Sequence, residues 1–120
     1  MARGHRITIT PSDVHVEIAV NGHTVARSNR PVVLDETGLP PRYYLRREDV
    51  RTDLLRPTGF HTTCPFKGLA SYWSLELDGG VFEGIAWSYE TPIAGAEAIA
   101  GLLCFFPERV DMRIGNDGAA

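Results

Sequence analysis

The sequence predicts a mainly β (α+β) fold: a single compact curled sheet or small β-barrel-like domain with one or two short helices. Three observations lead there. Val14, Val16, Ile18 and Val20 alternate with His15, Glu17 and Ala19 up to an Asn21-Gly22 pair. Six or seven extended stretches of this kind recur, separated by glycine- and proline-containing turns. Only two short segments space their apolar residues three and four apart, the helical period.

Taken in order, residues 14–27 form a hairpin, because Asn21-Gly22 supplies the two positive φ values of a type I′ turn. Val25 is expected opposite Ile18 on the same face. Pro31-Val32-Val33-Leu34-Asp35 reads as a strand, closed by Gly38-Leu39-Pro40-Pro41, and Arg42-Tyr43-Tyr44-Leu45 as another. Residues 47–55 suggest a short helix or turn, with Val50 and Leu54 four apart and Glu48 and Asp49 at the positive end of its dipole. Residues 71–77 and 81–89 are paired strands around Asp78-Gly79-Gly80. Thr91-Pro92 then predicts a helix start, with Ala96, Ile99 and Leu103 on one face and Pro107 as its stop. Val110, Met112 and Ile114 alternate as a last strand. The 120 residues make one domain, 1–120, with a core over about 14–114 and short flexible termini.

Composition narrows the class. Hydrophobic and charged contents of 43 % and 22 % are those of a globular chain. The longest apolar run, residues 98–106, is far short of the roughly 18 needed to span a bilayer. The N-terminal Met1-Ala2-Arg3-Gly4-His5-Arg6 has no apolar signal core. A cytoplasmic protein without membrane attachment is therefore expected. The net charge of −3 argues against nucleic acid as a partner. Eleven of the 12 basic residues are arginines, so the one lysine, Lys67, attracts notice. Cys64 and Cys104 lie 40 residues apart and read as free thiols, and no paired spacing supports a metal site.

The candidate working surface is Thr62-Thr63-Cys64-Pro65-Phe66-Lys67-Gly68, read as a loop within residues 60–68. Thr62 and Thr63 offer hydroxyl donors, Lys67 a mobile cation and Gly68 a close backbone approach, which together suit a phosphate or carboxylate. The plain alternative is an ordinary turn with a solvated lysine. Cys64 is either a nucleophile, with His61 and Lys67 each three residues away, or apolar filling. His61 is the best acid–base candidate among four histidines. The arginines of residues 42–51 can clamp an anion or simply pair with Glu48, Asp49 and Asp53, and Tyr44 and Arg46 stay open between the two. Glu90 is a buried base or part of a helix cap. Tyr43, Tyr44, Phe66, Tyr72, Trp73, Trp87 and Tyr89 gather on these segments, as a pocket wall or as core.

Tyr43 through Arg51, Thr63 through Gly68 with Ala70-Ser71-Tyr72, Trp87-Ser88-Tyr89-Glu90 and Phe105-Phe106-Pro107, in this order, resemble domain-of-unknown-function family 427. This is a bacterial family that also carries a nucleotidyltransferase label. The resemblance runs from about Val14 to Asp111. It implies a compact β-rich domain and working roles for Lys67, Tyr44, Arg46 and Glu90. Phe66 stands where the family often has tyrosine. Nucleotidyl transfer needs Mg²⁺ on paired carboxylates; Asp49 and Asp53 sit one helical turn apart, but no glycine-serine signature with a following Asp-x-Asp is present.

Three functions follow, in order of preference. The first is a small-molecule site holding an anionic group with Lys67 and Arg46 between the aromatic walls of Tyr44, Phe66, Tyr72, Trp87 and Tyr89, with Thr63 beside them. The second is an enzyme using Lys67, Glu90, His61 or Cys64, nucleotidyl transfer included. The third is a non-catalytic interaction module. No cofactor is assigned. A homodimer is compatible with exposed strand edges.

Overall fold

A computed structural model describes residues 4–115. Of the tail expected to fray over 115–120, Gly115 pairs with His15 in a strand; residues 116–120 and the first three residues lie outside the described range. Ten strands follow one another: β1 (Ile7–Pro11), β2 (His15–Val20), β3 (His23–Ser28), β4 (Val32–Glu36), β5 (Arg42–Tyr44), β6 (Leu55–Cys64), β7 (Gly68–Leu77), β8 (Gly80–Ser88), β9 (Leu103–Phe105) and β10 (Asp111–Gly115). They form three antiparallel sheets, ordered β1-β4-β5, β10-β2-β3 and β6-β7-β8-β9. The fold is mainly β as expected, in three sheets rather than one curled sheet, and no barrel closes.

The four-stranded sheet lies between two apolar clusters, and β9 shows why. Leu103 and Phe105 join the cluster formed with Val16, Ile18, Val20 and Val25 of the β2–β3 hairpin. Cys104, one residue along, joins the cluster formed with Val32, Leu34 and Tyr44. Successive side chains of a strand point to opposite faces, so a sheet covered on both sides needs apolar residues at both phases. Reciprocal hydrogen bonds of 2.8 Å between Leu45 and Leu103 stitch the β5 end to β9.

The Asn21-Gly22 turn forms as read, with φ of 54° and 82°. Its register differs by one residue: Ile18 pairs with Ala26 and Ala19 with Thr24, so Val25 is the extra residue of a β-bulge. The short helix or turn expected over 47–55 forms, as 3-10 turns, and the helix expected from Thr91-Pro92 does not. Residues 47–55 make two 3-10 turns, Arg47–Asp49 and Thr52–Leu54. Of the helix read from Thr91-Pro92, a single 3-10 turn, Glu97–Ile99, remains. Gly95 and Gly101 adopt φ of 97° and 72°, incompatible with a helix running through both. Leu103, counted on its face, instead pairs with Ser88 in the sheet. Sheet pairing outweighs a three-four spacing when the segment is short.

The segment read as a loop over 60–68 is also corrected. Residues up to Cys64 belong to β6 and pair with β7, and the turn is Pro65-Phe66-Lys67. Threonines favour strands once a partner is present. Gly68 has φ of 117°, and a Cβ there would lie 3.3 Å from the Ile93 nitrogen. That nitrogen donates to the Lys67 carbonyl at 3.0 Å, so the turn is docked against residues 92–93.

Candidate functional site

Strand alternation on β5 and β8 brings the site together. Arg42 and Tyr44 are two apart on β5, and Trp87 is followed by Tyr89 on the continuation of β8, so each pair shares a face. Between them opens a cavity of about 200 Å³ lined by Glu36, Arg42, Tyr44, Lys67, Tyr72, Trp87, Tyr89 and Phe106, with Leu39 and Pro40 at its edge.

Trp87 forms its centre. Its Nε1 donates to Tyr44 Oη at 3.1 Å. The Arg42 guanidinium lies over its ring at 5.3 Å from the centroid, within cation–π range. Phe106 packs on it at 4.5 Å between centroids. Tyr72 stacks on Phe106 at 6.4 Å and is pinned by a 2.8 Å bond between its hydroxyl and Thr62 Oγ1. Burial holds the Tyr44 and Tyr89 phenols well above the usual tyrosine range, so both stay protonated at neutral pH. Neighbouring Cys104 adds to the rise at Tyr44, and Cys64 to that at Tyr89.

Lys67 reaches the cavity wall from the turn, but its charge is matched. Its Nζ sits 2.7 Å from Glu36 Oε1, and both side chains are only 11 % exposed. His5 Nε2 lies 3.2 Å from the other Glu36 oxygen, out of line for a hydrogen bond, and its ring stacks on Phe66 at 4.1 Å. The pair is neutral overall, and the lysine keeps N–H donors to spare. Arg27, Arg30, Arg47, Arg51 and Arg56 each have a carboxylate within ion-pair distance; of the arginines without one among the described residues, Arg42 is the one that lines this cavity. The net positive charge of the cavity is therefore on Arg42.

Of the residues singled out from the sequence, Tyr44, Lys67, Tyr72, Trp87 and Tyr89 converge. The others lie elsewhere. Arg46 points its Nη1 to the Arg30 carbonyl at 2.7 Å. Glu90 is on the opposite phase of the chain from Trp87 and Tyr89: Arg47 Nη2 binds it at 2.5 Å and the Ser88 hydroxyl donates to it, while Trp73 Nε1 donates to Ser88 at 2.9 Å. It is 46 % exposed, not a buried base. His61 and Thr63 lie exposed on β6, His61 Nδ1 at 3.4 Å from Ser71 Oγ. Cys64 packs against the second cluster rather than lining the cavity, and Phe66 stands outside with His5. Sequence reasoning missed Glu36 and Phe106 and chose Arg46 over Arg42. Both arginines lie two positions from Tyr44, so period-two spacing did not choose between them.

Fold and cavity together define a small antiparallel β protein with a cation-rimmed aromatic cavity. The chain belongs to the family described as Domain of unknown function (DUF427), whose model, labelled NTP_transf_9, matches residues 8–116. None of the curated proteins compared with it matches. The residues do not fit the metal that nucleotidyl transfer calls for. Glu36 is the one carboxylate lining the cavity, and Lys67 holds it. Asp49 bonds Ser28 at 2.8 Å and Asp53 is forked by Arg51 at 2.9 and 2.8 Å, so the pair does not converge. Among the described residues no three His, Cys, Asp or Glu side chains cluster as metal ligands, and no helix is long and apolar enough to cross a membrane.

Proposed function

We propose that the protein binds a small molecule with one anionic group and a planar apolar body in the cavity between β5 and β8. The observation that carries this reading is Arg42, a guanidinium laid over Trp87 with no carboxylate partner among the described residues. Such a group recognises a carboxylate or phosphate through two parallel hydrogen bonds. Lys67 supplies a second donor, with Glu36 fixing its position rather than competing for the ligand. Tyr44, Tyr89 and Trp87 supply apolar walls and, with both phenols protonated, no further negative charge. A volume of about 200 Å³ lies below the ~300 Å³ at which drug-sized sites begin, so the part held here is small. Nucleotidyl transfer is less well supported, because it needs paired carboxylates on Mg²⁺ and the cavity offers one that is already bonded.

The test is a thermal-shift series with benzoate, phenyl phosphate and the neutral benzamide, on the wild type and on Arg42→Gln. Stabilisation by the anions alone, lost in the variant with its unliganded melting temperature unchanged, is the expected result. No shift with either anion, or equal shifts in both proteins, overturns the reading.

A further inference from the structure

Beside the cavity runs a wider groove of about 630 Å³, lined by Thr58, Phe60, Tyr72, Ser74, Glu83, Gly84, Phe106, Glu108 and Arg109. Tyr72 and Phe106 line both spaces. From Arg42 the aromatic surface is continuous: Trp87, then Phe106 at 4.5 Å, Tyr72 at 6.4 Å and Phe60 at 5.3 Å between successive centroids. Phe60 is brought there by a bulge. Pro57 pairs with Trp73 and His61 with Ser71, which leaves residues 58–60 opposite Tyr72 alone. Bulges of this kind re-aim a side chain, and Pro57 cannot donate to the ladder in any case. Phe60 lines the groove and is 61 % exposed.

We infer that the ligand is elongated: a monoanionic head at Arg42 and Lys67, and an apolar, aromatic-compatible tail that crosses Tyr72 and Phe106 into the groove under Phe60. This rests on the binding proposed above and adds the second half of the ligand. The rim decides the chemistry of the tail. Glu83 and Glu108 place two carboxylates there against one guanidinium, Arg109, whose Nη1 is bonded to the Glu83 carbonyl at 2.5 Å. A second anion at the far end is thus disfavoured, and flat apolar surface is matched by three rings.

The experiment measures calorimetric affinities of benzoate, phenylbutyrate, phenyloctanoate and the diacid suberate for the wild type, Arg42→Gln and Phe60→Ser. Phe60 is exposed, so the last variant keeps its fold, which an unchanged melting temperature verifies. Phenyloctanoate is expected to bind at least about tenfold more tightly than benzoate, the value of burying two methylenes. Phe60→Ser removes that gain and leaves benzoate unchanged, and suberate gains nothing over benzoate. Equal affinities of benzoate and phenyloctanoate in the wild type, both lost in Arg42→Gln, overturn the groove while keeping the head site. A gain with length that survives Phe60→Ser, or a suberate as tight as phenyloctanoate, overturns the tail as assigned. Absence of binding by every carboxylate removes head and tail together.

Discussion

Trp87 on β8 donates its indole N–H to the hydroxyl of Tyr44 on β5, 3.1 Å away, with the two rings edge to face at 6.3 Å. One side-chain bond thereby joins the β1-β4-β5 sheet to the four-stranded sheet and sets the floor of the cavity. Tyr44→Phe removes the acceptor and leaves a buried indole N–H unpaired. A loss of about 1 kcal/mol is expected, read from the urea midpoint at unchanged slope.

The raised phenols of Tyr44 and Tyr89 and the thiol of Cys104, lifted by its burial, make stability depend on alkaline pH. All three are neutral acids in the fold. Above the ordinary thiol value of about 8.5 and the tyrosine value of about 10, the unfolded chain releases protons that the folded chain keeps. Unfolding is then favoured as pH rises. The melting temperature should hold its neutral-pH value up to that window and fall beyond it, and Cys104→Ala should delay the onset. A melting temperature that stays level from pH 8 to 11 contradicts this account.

Lys67 and Glu36 stand or fall together. Lys67→Met strands a carboxylate that is 11 % exposed, at an expected cost of about 3 kcal/mol. Adding Glu36→Leu should recover most of it, and the double-mutant cycle measures the coupling. Additive losses in denaturant unfolding would show that the two side chains act separately.

Glu90 is exposed and bonded to Arg47 and Ser88 on the face away from the cavity. Glu90→Gln should change stability by less than about 1 kcal/mol, as for exposed ion pairs. Benzoate affinity should not move. A tenfold loss of affinity would mean that Glu90 reaches the ligand after all.

The two thiols differ in access: Cys64 is half-buried, and Cys104, on β9 opposite Trp87, is buried in the second cluster. Iodoacetamide on the native protein should therefore modify Cys64 alone, and Cys104 only after unfolding, with the site read by peptide mass. Modification of native Cys104 would require the second cluster to open under native conditions.

Local signals were enough to find most of the strands. The β2–β3 hairpin and β10 follow from apolar residues at every second position, β4 and β5 from apolar and aromatic content, and β7 and β8 from such content on either side of Asp78-Gly79-Gly80. The same local chemistry gathered Tyr44, Lys67, Tyr72, Trp87 and Tyr89, because aromatic residues beside a lysine turn are unusual enough to stand out. The remainder depended on partners distant in the chain. Whether residues 60–64 were loop or strand turned on β7, and whether Leu103 ended a helix or began a strand turned on Ser88 of β8. Arg42 and Arg46 are the same residue type four positions apart, so nothing local separates them. Tertiary structure decides, by laying Arg42 over Trp87, 45 residues further along the chain, and by turning Arg46 to the Arg30 carbonyl. Local sequence sets which residues can be extended and which can turn, since those preferences reside in single dihedrals. Which charges are matched, and which one is left for a ligand, is fixed by pairing between strands, a property no single segment carries.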